Sequence, residues 1–141
     1  MANAMYNYTK VFTMNGAIDW DTDTIHAILV TSSYTPNIDT HDYRNDITNE
    51  VSGTGYTAGG QALVSKSVTI DTTNDRAVFD SNDPQWTTAT ITARAVVLAK
   101  IRGGANTADE LAGYWDFGSD ITSTAGTFTI AVNAGGWLYL G

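Results

Sequence analysis

A chain of 141 residues has the size of one domain; this one carries no cysteine and holds 7 Lys plus Arg against 15 Asp plus Glu, a net charge of −8. Without cysteine, a disulfide framework, thiolate metal sites and cysteine nucleophiles are excluded, and folding in a reducing compartment is the natural reading. Nucleic-acid binding is disfavoured, because a phosphate grip needs clustered cations, and Lys10, Arg44, Lys66, Arg76, Arg94, Lys100 and Arg102 are scattered, with only the last two close together.

At this mass a folded domain exposes roughly 7,000 Å² against roughly 22,000 Å² for the unfolded chain, so a core can form without staples. No shift in composition marks a second domain, and the reading is one domain over residues 1–141. The first ten residues lack the basic start and apolar centre of a secretory signal. No apolar run reaches the length of a membrane span.

The spacing of Met5, Tyr8, Phe12 and Met14, followed by Asn15 and Gly16, predicts a single short helix over residues 3–14 with a glycine C-cap. Beyond it the chain is rich in Thr, Val, Ile, Tyr and Trp, which favour strands. Residues 25–31 (IHAILVT) are apolar on both alternating faces, the mark of a strand sandwiched between layers. Residues 31–60 contain Pro36, a polar run and a glycine-rich stretch; they predict a long irregular excursion, either mobile or held by a partner.

Residues 67–71 and 77–80 flank a turn-rich segment and read as a hairpin. Residues 86–102 read as a long strand, Thr-rich at first and apolar on both faces later, with Arg94 and Lys100 sending their charges out at strand ends. Residues 111–117, 127–132 and 137–140 complete the series. The expected fold is therefore all-β, an antiparallel sandwich (jelly-roll-like) or barrel with one short N-terminal helix.

Each motif with a chemical reading also has a plainer one. Asp19, Asp21 and Asp23 form a D-x-D-x-D run of oxygen donors suited to calcium, yet an EF-hand loop from Asp19 would need Gly and Glu where Thr24 and Val30 stand. A solvated turn with Asp side chains bonding local N–H groups is the better reading, and whether an ion binds stays open. Gly53, Gly55 and Ala58 approach a dinucleotide fingerprint without the flanking strand and helix, so a flexible loop or arm is expected. His26 lies in an apolar strand and is expected to be packed and hydrogen-bonded; His41 sits beside Asp42 in a polar loop, and no nucleophile elbow accompanies either. Of Trp20, Trp86, Trp115 and Trp137, most are expected in the core, with Trp137 the best candidate for exposure because Gly135 and Gly136 precede it. No catalytic, cofactor-binding or metal residue is assigned.

The whole chain nonetheless resembles a known type. The opening NAMYNYTKVFTMNGAIDWDTDTIHAILVTSSY is similar to the start of small tailed-bacteriophage virion proteins: a short N-terminal segment, an N-G-x-I-D-W turn, and an acidic D-x-D-x-I step into an apolar strand. The later AVVLAK and LAGYWDFG resemble a strand pair of those proteins, and residues 31–60 match least. The resemblance implies a non-enzymatic structural component of the virion, of the capsid cement or decoration type. It implies a protein made in the host cytoplasm, bound to the major capsid protein and homo-oligomeric on the particle. Extended arms from residues 53–60 and both termini would suit such a role. A tail or fibre component, and a carbohydrate-binding module using exposed tryptophans, are the alternatives.

Overall fold

The computed structural model describes residues 2–141. Among these, eight strands and one α-helix follow in the order β1 (Ala2–Ala4), α1 (Asn7–Met14), β2 (Ile25–Val30), β3 (Gln61–Ala62), β4 (Ser67–Asp71), β5 (Arg76–Asp80), β6 (Gln85–Lys100), β7 (Leu111–Thr129) and β8 (Leu138–Leu140). They form two antiparallel sheets, one of five strands ordered β1-β7-β6-β2-β3 and one of three ordered β4-β5-β8. This is the expected all-β sandwich with a short N-terminal helix, and the sheets do not close into a barrel. The accessible surface of 6824 Å² is that of a well-packed domain of this mass. No helix among the described residues is long and apolar enough to cross a membrane.

The frame is the β6–β7 pair, sixteen residues against nineteen. In its first half β6 buries Trp86, Ala89, Ile91 and Ala93 on one face while its threonines look outward. A register shift between Ala93 and Ala95 then changes the phase of the pleat. Arg94 stands at that irregularity, mid-strand rather than at a strand end, and its Nε donates to the Asp116 carboxylate at 2.8 Å. Beyond it both faces are apolar: Val96 and Leu98 join the main core, whereas Ala95, Val97 and Ala99 join a second cluster. β2 pairs with this half from Ile25↔Lys100 to Val30↔Ala95 and is two-faced in the same way.

A sheet buried on both faces must be covered twice. One cover is the small sheet, which sets Phe79, Trp137 and Leu138 over the main core. The other is the excursion over residues 31–60, whose Tyr34, Ile38 and Ile47 pack with Tyr6 against the second cluster. As expected, this excursion is poor in regular structure, with one 3₁₀ turn at Arg44–Asp46 and the isolated bridges Val30↔Glu50, Tyr43↔Glu110 and Thr54↔Thr90.

Two sequence-based readings of element bounds change. The helix begins at Asn7, because the segment before it pairs with the edge of β7 as β1. Its buried side chains are Thr9 and Phe12, following the buried Tyr6, whereas Tyr8 and Met14 point outward; the Thr9 hydroxyl donates to the Leu111 carbonyl. Gly16 does terminate it, in the left-handed region at φ +79°. The strands expected at 111–117 and 127–132 are one strand, since the polar stretch between them keeps pairing with the threonine-rich half of β6.

The glycine-rich stretch is the larger correction. It is a packed strap, not a free arm: Thr90 donates its N–H to the Thr54 carbonyl at 2.9 Å, and Glu50 Oε1 accepts from the Tyr56 hydroxyl at 2.7 Å and the Gly59 N–H at 2.6 Å. At Gly60, φ is +69° and a Cβ would run into the Ala27 carbonyl, whereas a Cβ on Gly59, at φ +93°, would meet open space. Gly60→Ala is therefore expected to cost about 2–4 kcal/mol in chemical denaturation, backbone strain plus overpacking, and Gly59→Ala about 1–2 kcal/mol from strain alone. Equal losses would contradict the close approach of the strap to β2.

Candidate functional site

The acidic run is a closed turn. Asp23 Oδ2 accepts the Asp19 N–H at 2.8 Å and the Lys100 ammonium at 2.8 Å, while Asp19 and Asp21 face solvent. Lys100, expected to carry its charge outward, instead folds back onto this turn and also donates to the Ala17 carbonyl at 2.7 Å. Partial burial pulls the Asp23 carboxyl upward, but the Asp19 amide and Lys100 outweigh it and hold it below the usual carboxylate range. Among the described residues no group of three His, Asp or Glu is placed to hold a metal ion.

The two histidines serve separate structural bonds. His26 Nδ1 lies 2.8 Å from the Gly59 carbonyl, tying β2 to the strap. His41 Nδ1 lies 3.1 Å from the Tyr34 hydroxyl and 3.3 Å from the Asn37 N–H, and Tyr34 in turn meets the Tyr6 hydroxyl at 2.8 Å. Burial raises both phenols, Tyr34 to about 12 and Tyr6 further. Among the described residues neither histidine has a carboxylate as a hydrogen-bond partner.

All four tryptophans are buried, at 5% exposure or less. Trp137 overturns the expectation of an exposed platform. Gly135 and Gly136 are not a loose lead but a tight turn, in which Gly136, at φ +86°, lies where a Cβ would strike the Phe79 carbonyl. That turn swings Trp137 inward, where its ring meets Trp115 edge-on at 5.0 Å and its Nε1 donates to Ser81 Oγ at 2.8 Å.

Among the described residues five of the seven cations are engaged in ion pairs: Arg44 with Asp109, Arg76 with Asp71, Arg94 with Asp116, Lys100 with Asp23 and Arg102 with Glu110. The most enclosed of these acids is Asp109, fully buried, which also accepts the Arg102 N–H at 2.8 Å. With these cations neutralised, the surplus of acids defines the outer field.

Against this background one concavity stands out. A cleft of about 440 Å³ opens between α1, the 16–20 turn and the small sheet. Met5, Thr9 and Thr13 form one wall, Val68, Ala77 and Phe79 the other, with Ala112, Leu138 and Leu140 among the remaining lining residues. Its lining is mainly apolar, with the hydroxyls of Thr9 and Thr13, and among the described residues Asp19 is the one charged residue that lines it. Of the exposed large apolar side chains, Val68 lines the cleft, with Ile70 on the same strand and Val64 just upstream, while Tyr8, Val11 and Met14 lie on α1, Val11 and Met14 beside a separate shallow concavity with Lys10 and Asn15, and Ile121 lies on β7. Chemically the site can hold apolar groups and has no convergent set of acids, bases or nucleophiles. Asp19 and Trp20, singled out in the sequence for other reasons, lie here, but the cleft itself was not legible because its lining comes from segments more than a hundred residues apart.

Comparison of the chain with family models, with curated proteins and with solved structures finds no significant match.

The Lys100–Asp23 pair fastens the turn that bears the cleft rim, which makes its removal a test of that anchoring. Asp23→Ala is expected to lower stability by about 1–2 kcal/mol at neutral pH. Because the folded-state pKa of Asp23 is depressed, the contribution is complete above the ordinary carboxylate range and declines as pH falls through the depressed value. The gap between wild type and variant in thermal unfolding should narrow on that acid limb; a gap constant with pH would contradict the pairing.

Proposed function

We propose that this chain is a non-catalytic structural protein of a tailed-phage virion, a capsid cement or decoration protein that docks on the major capsid protein in several copies. The single observation that carries the docking role is the apolar cleft, together with exposed Val, Ile, Met and Tyr side chains on and beside α1 and β4, the elements that wall it. Soluble monomers seldom leave apolar surface gathered in this way unless something covers it. The likeness of the N-G-x-I-D-W turn and of the AVVLAK and LAGYWDFG strands to virion proteins supplies the setting.

The surroundings suit that role. The two-faced sheet gives a stiff frame, so little ordering entropy is lost on docking. The acid surplus of the remaining surface would keep assembled particles apart and disfavour contact with packaged nucleic acid. A carbohydrate-binding module built on exposed tryptophans has nothing to build on, because the indoles are inside. A tail or fibre position uses the same surface on a different partner.

Fractionation of purified particles tests the proposal. The protein is expected in heads, in fixed proportion to the major capsid protein and made before lysis in the host cytoplasm. Recovery in tails only would move it to the tail or fibre alternative, and recovery in soluble lysate only would overturn the virion reading. Thr13→Arg, which puts a guanidinium into the cleft from a half-buried helix position, is expected to lower occupancy of heads about tenfold at unchanged thermal stability.

A further inference from the structure

Every open sheet has edges, and proteins usually blunt them by shortness, lysine, proline or bulges. The terminal strands β1 and β8 have three residues each and β3 has two. Among the described residues two longer edges stay open: the outer side of β7 beyond its pairing with β1, which repeated register shifts against β6 make irregular, and β4. β4 runs for five residues, pairs with β5 without a register shift from Ser67↔Asp80 to Asp71↔Arg76, and carries no proline or lysine within it. It is also exposed where strands are normally covered: Val68 and Ile70 share one face and are 45% and 81% exposed, with Val64 just upstream at 60%.

From these features we infer that β4 is the seam of a two-fold dimer, pairing antiparallel with β4 of a second copy about Thr69. The segment Ser-Val-Thr-Ile-Asp is self-complementary in that register. Val68 lies opposite Ile70 of the second copy and Ile70 opposite its Val68, so apolar meets apolar on one face. On the other face Thr69 meets its own counterpart, a favourable cross-strand pair, and Asp71 lies opposite a serine rather than another acid. Asp71 is already quenched, accepting from Arg76 at 3.0 Å and Asn74 at 2.8 Å, and Arg76 is itself held 3.6 Å over the Tyr139 ring.

Charge does not oppose a second copy at this edge, which is closer to balance than the chain as a whole. Residues 64–80 hold two cations against three acids, whereas the chain holds 7 against 15. Joining two copies here gives a continuous six-stranded sheet, β8-β5-β4 followed by β4-β5-β8 of the second copy, with both apolar clefts on the same face. The pairing is a property of the chain by itself and does not depend on the capsid assignment.

The absence of native cysteine makes the test direct. In this register the two Thr69 Cα atoms lie about 4.5–5.5 Å apart, within disulfide range. The two Ser67 Cα atoms are offset by four residues, about 13 Å along the strands, and out of range. Under mild oxidation of the purified full chain, Thr69→Cys is expected to form a disulfide-linked dimer and Ser67→Cys to remain monomeric, while wild type sediments as a dimer with rising concentration. Ile70→Lys, at an exposed position that leaves folding intact, should raise the dissociation constant at least about tenfold, and mixing it with Val68→Glu should restore a heterodimer. Cross-linking of the Thr69→Cys variant no faster than that of Ser67→Cys, or wild type that sediments as a monomer at every concentration, overturns the proposal. Particle fractionation is silent on this point, so failure here and failure of the capsid reading are told apart.

Discussion

The structure depends on one constraint: the half of the central sheet built from β2, the end of β6 and the start of β7 is apolar on both faces. A strand such as Ile25–Val30, with Ile25, Ala27 and Leu29 on one side and Ile28 and Val30 on the other, cannot leave either side wet. Each fully buried Ile, Leu or Val contributes roughly 1.5–3 kcal/mol relative to exposure. Two covers are therefore required, and the chain supplies them from unlike material, a small sheet on one side and a nearly structureless excursion on the other. Irregular backbone at that position needs partners for its polar groups, and side chains supply several: Glu50 accepts the Gly59 N–H, His26 meets the Gly59 carbonyl, and Asp46 accepts the Asp42 N–H.

Much of this was legible in the sequence, and the failures have physical causes. The two-faced strands, the hairpin over 67–80, the glycine stop after the helix and the low regularity of 31–60 all follow from patterns confined to a few neighbouring residues. The continuity of β7 did not. Its stretch from Gly118 to Gly126 is polar because it is exposed, and polar sequence reads as a loop unless the partner strand is known. Trp137 and the glycine strap fail for a shared reason. In sequence, glycine reads as licence for flexibility, whereas at Gly60 and Gly136 it marks another backbone lying too near for a Cβ. The cleft was invisible because its walls, α1 and the β4–β5 hairpin, are distant in sequence and meet only in the folded chain.

Electrostatics and apolar exposure together set what the surface is good for. Most cations are held by specific acids, Arg94 by Asp116 at the bulge, Lys100 by Asp23 at the acidic turn and Arg44 of the excursion by Asp109. The outer face left over is anionic and repels copies of itself and polyanions alike. Attraction is concentrated at the cleft and the β4 edge, where apolar side chains replace charge. A chain with these properties is suited to docking in a defined orientation. Two such chains joined along β4 would present two clefts to one lattice, and a second binding event on a tethered dimer is far easier than the first.

Covered and uncovered surface divide sharply in this molecule, and the uncovered part is where the proposed contacts would form. The decisive measurement is hydrogen exchange read by mass spectrometry, on the free protein and on purified particles in which the proposed role would place it. In the free protein, amides of β2, β6 and β7 in the two-faced half should be the slowest to exchange and those of β4 among the fastest of the strands. On assembly, protection should rise in residues 64–71 and in the segments lining the cleft, and stay level in the 31–60 excursion. Protection gained mainly in that excursion, or none gained at β4 and the cleft, would contradict the account.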